Sequence, residues 1–276
     1  MASIAGRIMH YAPLVPLGKF NIKYLLKAAG SQAARTDLVD ISPDTRRQLY
    51  FWLVVLRATD GHTRIPSIFP FPPWTFEFWT DAGGGSASTL GQGCGGIAHG
   101  FWFILPWGRV INSGVRCEDG KRIGRKMSAL ELVGPLVCLS AGLDLCRGRP
   151  VRIWVDNFGS VAIFAKGYST TCELSTTLVS AIAVVATTIG CRLTIDKITR
   201  CSSPGAVLSD ELSKGQYSAF RRKLPDSWPL PLDPARIPPS ILAWVAHPCK
   251  DPGLGAKILA DLGVPFSPGT CLAAFC

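Results

Sequence analysis

Four acidic residues fall where a carboxylate can do chemistry: Asp81, Glu131, Asp156 and Asp210. Asp81 ends the β-favouring run Phe76-Glu77-Phe78-Trp79-Thr80, and Gly83-Gly84-Gly85 follows at once. Aromatic and β-branched residues fit a pleated, half-buried surface, and glycines end a strand while letting a neighbouring backbone come close. The pattern aims Asp81 at open space from the rim of a buried strand. Val151-Arg152-Ile153-Trp154-Val155 is a second short β run, and it too ends in an acid, Asp156. Glu131 lies near the start of a helix opened by Ser128, and Asp210 lies in the helix after Ser202-Ser203-Pro204-Gly205. Four carboxylates gathered in a low dielectric cannot all ionise without compensation. A pair of Mg2+ ions, or Mn2+ in their place, supplies it, because hard divalent cations take carboxylate oxygens and keep positions open for water and phosphate. Two such ions about 4 Å apart activate a water and stabilise the leaving oxygen of an in-line phosphoryl displacement.

Each acid also has a plain structural reading. Asp81 can cap a turn, and Ser128 with Glu131 has capping-box spacing. Against the cap, Glu131 falls on or beside the inner face marked by Met127, Leu130, Gly134, Cys138, Ala141 and Leu145. Asp196, in mid-strand, and Glu211, beside Asp210, are the nearest competitors for a ligand position. A register error of one residue would exchange Glu211 for Asp210.

The elements that must position these acids follow from the same sequence. Residues 1–73 read as a small, mainly helical segment. Lys19, Lys23 and Lys27 recur at helical spacing, as a solvated face in preference to a phosphate-facing stripe. Ser42-Pro43 is a good helix start, and Leu49, Trp52, Leu53 and Leu56 continue it as an apolar stripe. A proline-rich link from Ile65 to Pro73 marks a domain boundary.

Residues 74–224 then read as an α/β domain. Gly95 to Leu105 is expected as a second strand and Gly108 to Asn112 as a third, an antiparallel meander. A basic loop with Lys121, Arg122, Arg125 and Lys126 leads to the helix of Glu131, which Pro135 is expected to kink. The run ending at Asp156 is followed by helices at Phe158–Lys166 and Cys172–Gly190, a strand at Arg192–Thr199 and the helix of Asp210. Strand–helix alternation of this sort implies parallel pairing to the meander, and ligands in open α/β sheets bind at the carboxyl ends of such strands. Residues 225–276 read as a proline-rich, loosely attached tail with a helix around Pro239–Ala246.

With 47% apolar and 17% charged residues, the chain can fill a core and is not a disordered protein. A formal charge of +10 suits a polyanionic partner. The ten cysteines contain no Cys-x-x-Cys, which argues against a zinc site and for reduced thiols in an intracellular protein of the cytoplasm or nucleus. The longest apolar run, Leu178 to Ile189, is short of the roughly 20 residues that a membrane span needs. His10, His62, His99 and His247 are scattered, with ordinary placement expected.

Taken in order, these pieces resemble the ribonuclease H fold and its four-acid metal site. The local wording is similar to the ribonuclease H-like region of retrotransposon reverse transcriptases, DIRS-like elements and their relatives. The matching pieces are Thr80-Asp81-Ala82, Glu131-Leu132, Val155-Asp156-Asn157 and Ser209-Asp210-Glu211-Leu212-Ser213, the last set against the family's Ala-Asp-x-Leu-Ser. Residues 5–26 more faintly resemble a polymerase thumb, and residues 30–70 the connection that follows it. The resemblance implies a mixed five-stranded sheet with helices on both faces, and hydrolysis of the RNA strand of an RNA–DNA hybrid. It implies that Asp81 bridges two ions, that Asp210 shares the ion activating water, and that Glu131 and Asp156 hold the ion near the leaving group. Asn157 would orient its neighbour. Two departures stand out. The turn Arg200-Cys201-Ser202-Ser203-Pro204-Gly205 lacks the family's frequent histidine, and no Tyr-x-Asp-Asp occurs, so a polymerase site is expected on a partner domain or polypeptide. An inactive hybrid-binding module, or an unrelated α/β domain whose acids are all caps, are the alternative expectations.

Overall fold

The computed structural model describes residues 1–12, 18–31, 41–58, 76–84, 92–107, 127–169, 171–199, 201–228 and 233–264. Strand β1 (Phe76–Ala82) is an inner strand of a mixed sheet. It pairs antiparallel with β2 (Gly93–Ala98), and β2 pairs antiparallel with β3 (Phe101–Pro106). On its other side β1 runs parallel to β4 (Pro150–Val155), which runs parallel to β5 (Arg192–Lys197). A sixth strand of two residues, β6 (Asp233–Pro234), extends the expected five at the β3 edge, giving the order β5-β4-β1-β2-β3-β6.

The meander is drawn differently from the sequence expectation. The run Gly95 to Leu105 is two strands, not one, because His99-Gly100 folds it into a hairpin in which Gly100 takes φ 98°. That left-handed conformation is open to glycine at no steric cost. The third strand expected at Gly108–Asn112 lies outside the described residues, as does the basic loop at 121–126.

Helices cover both faces. On one face α4 (Met127–Ala141) and α7 (Glu173–Thr188) pack over Phe78, Cys94, Phe103 and Ile153 in a single large core. Pro135 does not end α4, which runs unbroken to Ala141. Between them come α5 (Leu143–Cys146) and α6 (Phe158–Lys166). On the other face α8 (Pro204–Ser213) and α9 (Tyr217–Lys223) enclose Ile97 and Trp102 with Leu208, Leu212 and Phe220.

Both ends of the chain join the larger core. From the N-terminal helices α1 (Ala2–Tyr11), α2 (Lys23–Gly30) and α3 (Pro43–Ala58), it takes Ile8, Leu25, Phe51, Trp52 and Val55. Gln48 of α3 accepts from the backbone N–H groups of Tyr24 and Leu25 at 2.8 and 3.1 Å, satisfying two donors that the first turn of α2 leaves over. Trp52 Nε1 donates to the Asn21 carbonyl at 2.8 Å. Lys23 and Lys27 are exposed, as a solvated helix face should be.

The loose tail is also corrected over residues 233–264. Helix α10 forms at Pro239–Ala246, and α11 (Leu254–Asp261) inserts fully buried Ile258 and Leu259 into the core. Proline-rich composition suggested a tail, but Ile241, Trp244, Val245, Leu254, Ile258 and Leu259 recur at helical spacing and supply an apolar face to bury. No helix among the described residues is long and apolar enough to cross a membrane.

Candidate metal centre

The parallel register that sets Trp79 opposite Trp154 carries both strands two residues further, to Asp81 and Asp156. Two acids therefore emerge side by side at the carboxyl ends of β1 and β4. Glu131 arrives from α4, and the close approach of that helix depends on Gly134. A Cβ there would lie 2.7 Å from Thr80 Cβ, nearer than real side chains come. With α4 pressed onto β1, Glu131 reaches across to accept from the Ala82 N–H at 3.4 Å. It is thus no solvated cap. Pro135, lacking an N–H, leaves the Glu131 carbonyl without its usual helical donor.

Ligand oxygens of Asp81, Glu131 and Asp156 all lie within 4.8 Å of one another. Asp81 is 4% exposed and Glu131 2%, while Asp156 is half-buried at the mouth. Glu131 Oε2 is buried with no hydrogen-bond partner. Burial raises the Glu131 carboxyl well above its ordinary range, and the negative charges of Asp81 and Asp156 push it further. The Ala82 N–H opposes this only in part. Without a cation, burial and the two neighbouring charges both act against the ionised form of the Glu131 carboxyl. The adjacent Cys94 thiol is pushed up as well, first by burial and then by Glu131 and Asp81, so it stays protonated. A cation among these oxygens would relieve their repulsion. Three hard carboxylate donors suit a metal ion, which the group can hold.

Asp210 stands outside that three-acid group. Its Oδ2 is held by Lys214 Nζ at 2.5 Å, an ion pair one turn along α8. The group thus contains three of the four acids expected from the sequence. Ser213 Oγ contacts Asp81 Oδ2 and, at 2.9 Å, the backbone carbonyl of Asp210, which ties α8 to the end of β1. Gly95 makes room for this contact, since a Cβ there would fall 2.6 Å from the Ser213 nitrogen and 2.4 Å from Leu212 Cβ. Sequence reasoning gave Ser213 no role. Its signal was the spacing from Asp210, three residues on along one helix face.

Supporting contacts tie the anchors together. Asn157 caps α6 by accepting from the Ser160 N–H at 3.2 Å, and Ser160 Oγ donates to the Ser128 carbonyl at 3.2 Å. The turn carrying Asp156 is thereby fastened to the start of the helix carrying Glu131. The two competitors are occupied elsewhere. Asp196 pairs with Arg152 Nε at 3.1 Å, and Glu211 pairs with Lys223. His10, His99 and His247 are exposed, and His62 lies outside the described residues. Among the described cysteines all seven are free thiols.

Fold and site together define an α/β protein with a mixed sheet and a buried carboxylate group able to bind a metal ion. No family model, curated protein or solved structure matches the chain.

Proposed function

We propose that the chain is a Mg2+-dependent endonuclease hydrolysing the RNA strand of RNA–DNA hybrids, with a ribonuclease H-like domain over residues 74–224. In this reading it is the ribonuclease H part of a retroelement reverse transcriptase, working with a polymerase domain or polypeptide. The observation that carries it is the meeting of Asp81, Glu131 and Asp156 from the ends of β1 and β4 and the first turns of α4. Three antiparallel strands followed by two parallel ones, with acids on the first strand, the next helix and the fourth strand, is also the order that the resemblance implies.

Bound Mg2+ would neutralise the acids, activate a water and stabilise the leaving 3′ oxygen. The chain's own residues prepare for this. Ser213 donates to one oxygen of Asp81 and so helps to hold its carboxylate in place. A bound cation would favour the ionised Glu131 that burial disfavours, so its raised pKa couples ionisation to cation binding. Asp156, the most exposed of the three, stands where a phosphate would arrive. Basic charge of +10 favours a polyphosphate partner in general terms.

One observation favours a second reading, a hybrid-binding module without turnover. Asp210 is neutralised by Lys214, and the turn before α8 offers Cys201, Ser202 and Ser203 where a histidine would ease product release. Cleavage of a labelled RNA–DNA hybrid in Mg2+ by the natural chain and by Asp156→Asn separates the two. Cleavage by the natural chain alone supports the nuclease. Equal cleavage by both rejects the site, and hybrid binding without cleavage by either establishes the binding module.

A further inference from the structure

Trp79, Ile97 and Trp102 stand opposite one another on β1, β2 and β3. They lie on the face covered by α8, where Gly205 sits against Trp79 and Leu208 and Leu212 cluster with Ile97 and Trp102. At both ends of this row aromatic rings continue outward to solvent. At one end Trp228 packs against Trp79 with ring centroids 5.8 Å apart. The exposed His99 then lies over Trp228 at 5.0 Å, only 19° from parallel. At the other end Trp102 meets Tyr217 at 5.3 Å, and Tyr217 is 41% exposed. Arg221 lies over both rings, 5.2 Å from Tyr217 and 5.9 Å from Trp102, and its Nε donates to the Tyr217 hydroxyl at 2.7 Å. Core packing accounts for the buried Trp102 and Phe220, but not for the outer layer of His99, Tyr217 and Arg221. Charge accompanies the rings, because α9 ends in Arg221, Arg222 and Lys223. Lys223 pairs with Glu211, whereas Arg221 and Arg222 are exposed and have no acidic partner among the described residues.

We propose that this band of His99, Trp228, Tyr217, Arg221 and Arg222 is a binding site for single-stranded nucleic acid. Bases stack on the outer faces of His99 and Tyr217, while Arg221 and Arg222 meet the phosphates beside them. Every base has a π-face, so such a platform accepts any sequence. The roots of the two platforms, Trp79 and Trp102, are two strand spacings apart, about 10 Å, which a short run of nucleotides spans. Arg221 is already held flat against aromatic rings, so little of its freedom remains to be lost when a phosphate or a base arrives. A duplex keeps its base faces inside its own stack, so the band favours unpaired strands. The site uses none of the three acids of the metal centre and goes beyond the nuclease reading.

The test is fluorescence anisotropy of labelled oligo(dT), oligo(U) and a blunt DNA duplex with the full chain in chelator. Chelator excludes metal-dependent hydrolysis, so the result does not depend on whether the chain cleaves hybrids. The natural chain should bind both single strands more tightly than the duplex. The double variant His99→Ala with Tyr217→Ala should weaken single-strand binding by about fivefold or more, the loss expected when a stacking ring is removed. Arg222→Gln should make the slope of log affinity against log salt shallower by about 0.7, one phosphate contact fewer. Lys27→Gln, which removes an equal charge from the exposed face of α2, should bind as the natural chain does. Equal affinity in the natural chain and the double variant overturns the inference, as does tighter binding of the duplex. A loss in Lys27→Gln as large as that in Arg222→Gln also overturns it, since general charge would then account for binding. His99 and Tyr217 are exposed, and far-ultraviolet circular dichroism on each variant reports folding independently of binding.

Discussion

Replacing Glu131 with glutamine should make the metal-free protein more stable at neutral pH while abolishing its response to metal. Glutamine keeps the shape of glutamate. Its carbonyl oxygen can still accept from the Ala82 N–H, and its amide can donate toward Asp81 or Asp156, where the natural carboxylate faces only other acceptors. The direction follows from proton linkage. In the fold Glu131 has its pKa raised well above its ordinary value of 4.5, chiefly by burial. Below that ordinary value both folded and unfolded chains carry the proton, and nothing is lost. As pH climbs past it the unfolded chain ionises first, so stability falls until the folded carboxyl ionises too.

Metal acts in the opposite direction. At one hundred times its Kd, a ligand that binds only the folded state adds about 2.7 kcal/mol. For a chain of this size each kcal/mol moves Tm by about 2–4 °C, so the natural protein should gain roughly 5–10 °C. Thermal unfolding followed by circular dichroism, in chelator and in saturating Mn2+ at pH 7, reads both effects. Glu131→Gln should melt above the natural chain in chelator and show no metal-induced gain. If it melts lower in chelator, or keeps the full gain, Glu131 is not the buried, pKa-raised ligand described above.

Other consequences can be measured singly. In chelator, the natural chain should lose stability as pH rises above about 4.5, and Glu131→Gln should lack that part of the slope; identical pH profiles in urea titrations would contradict the pKa assignment. Ser213→Ala removes the donor to Asp81 and should weaken Mn2+ binding about 10–100-fold, with circular dichroism at 20 °C unchanged; unaltered affinity would leave Ser213 a purely structural residue. Gly134→Ala places a Cβ 2.7 Å from Thr80 Cβ and should cost about 1–3 kcal/mol by urea unfolding, with weaker metal binding because α4 must retreat. Gln48→Ala strips the acceptor from the first turn of α2 and should cost about 1 kcal/mol without touching metal affinity.

The sequence disclosed the site where local pattern dictates direction. Asp81 and Asp156 each close a β run, and parallel pairing brings the two strand ends together, so their meeting was legible from strand order alone. Glu131 was legible because it shares a face with Leu130 and Gly134, although only the structure separates a ligand from a cap. Asp210 was placed on the right helix but not in its ion pair. Whether an aspartate turns to a lysine one turn away or to a neighbouring strand depends on side-chain rotamers and on Gly95 letting α8 settle, and none of that has a periodicity. The hairpin at His99-Gly100 was missed because apolar and aromatic residues continue on both sides of it, masking a two-residue turn. Helix α11 was missed for the reverse reason, proline and glycine nearby outweighing a real apolar stripe.

One further consequence follows from Trp52. Its indole is buried in the large core to which both flanks of the chain and the helices over the sheet contribute, and it donates to the Asn21 carbonyl. A shortened version beginning near the first strand would carry a raw greasy scar where α3 had been. Such a fragment would tend to clump, and silence in a nuclease assay would then report precipitation, not chemistry. Any dissection of this protein should keep its opening helices attached.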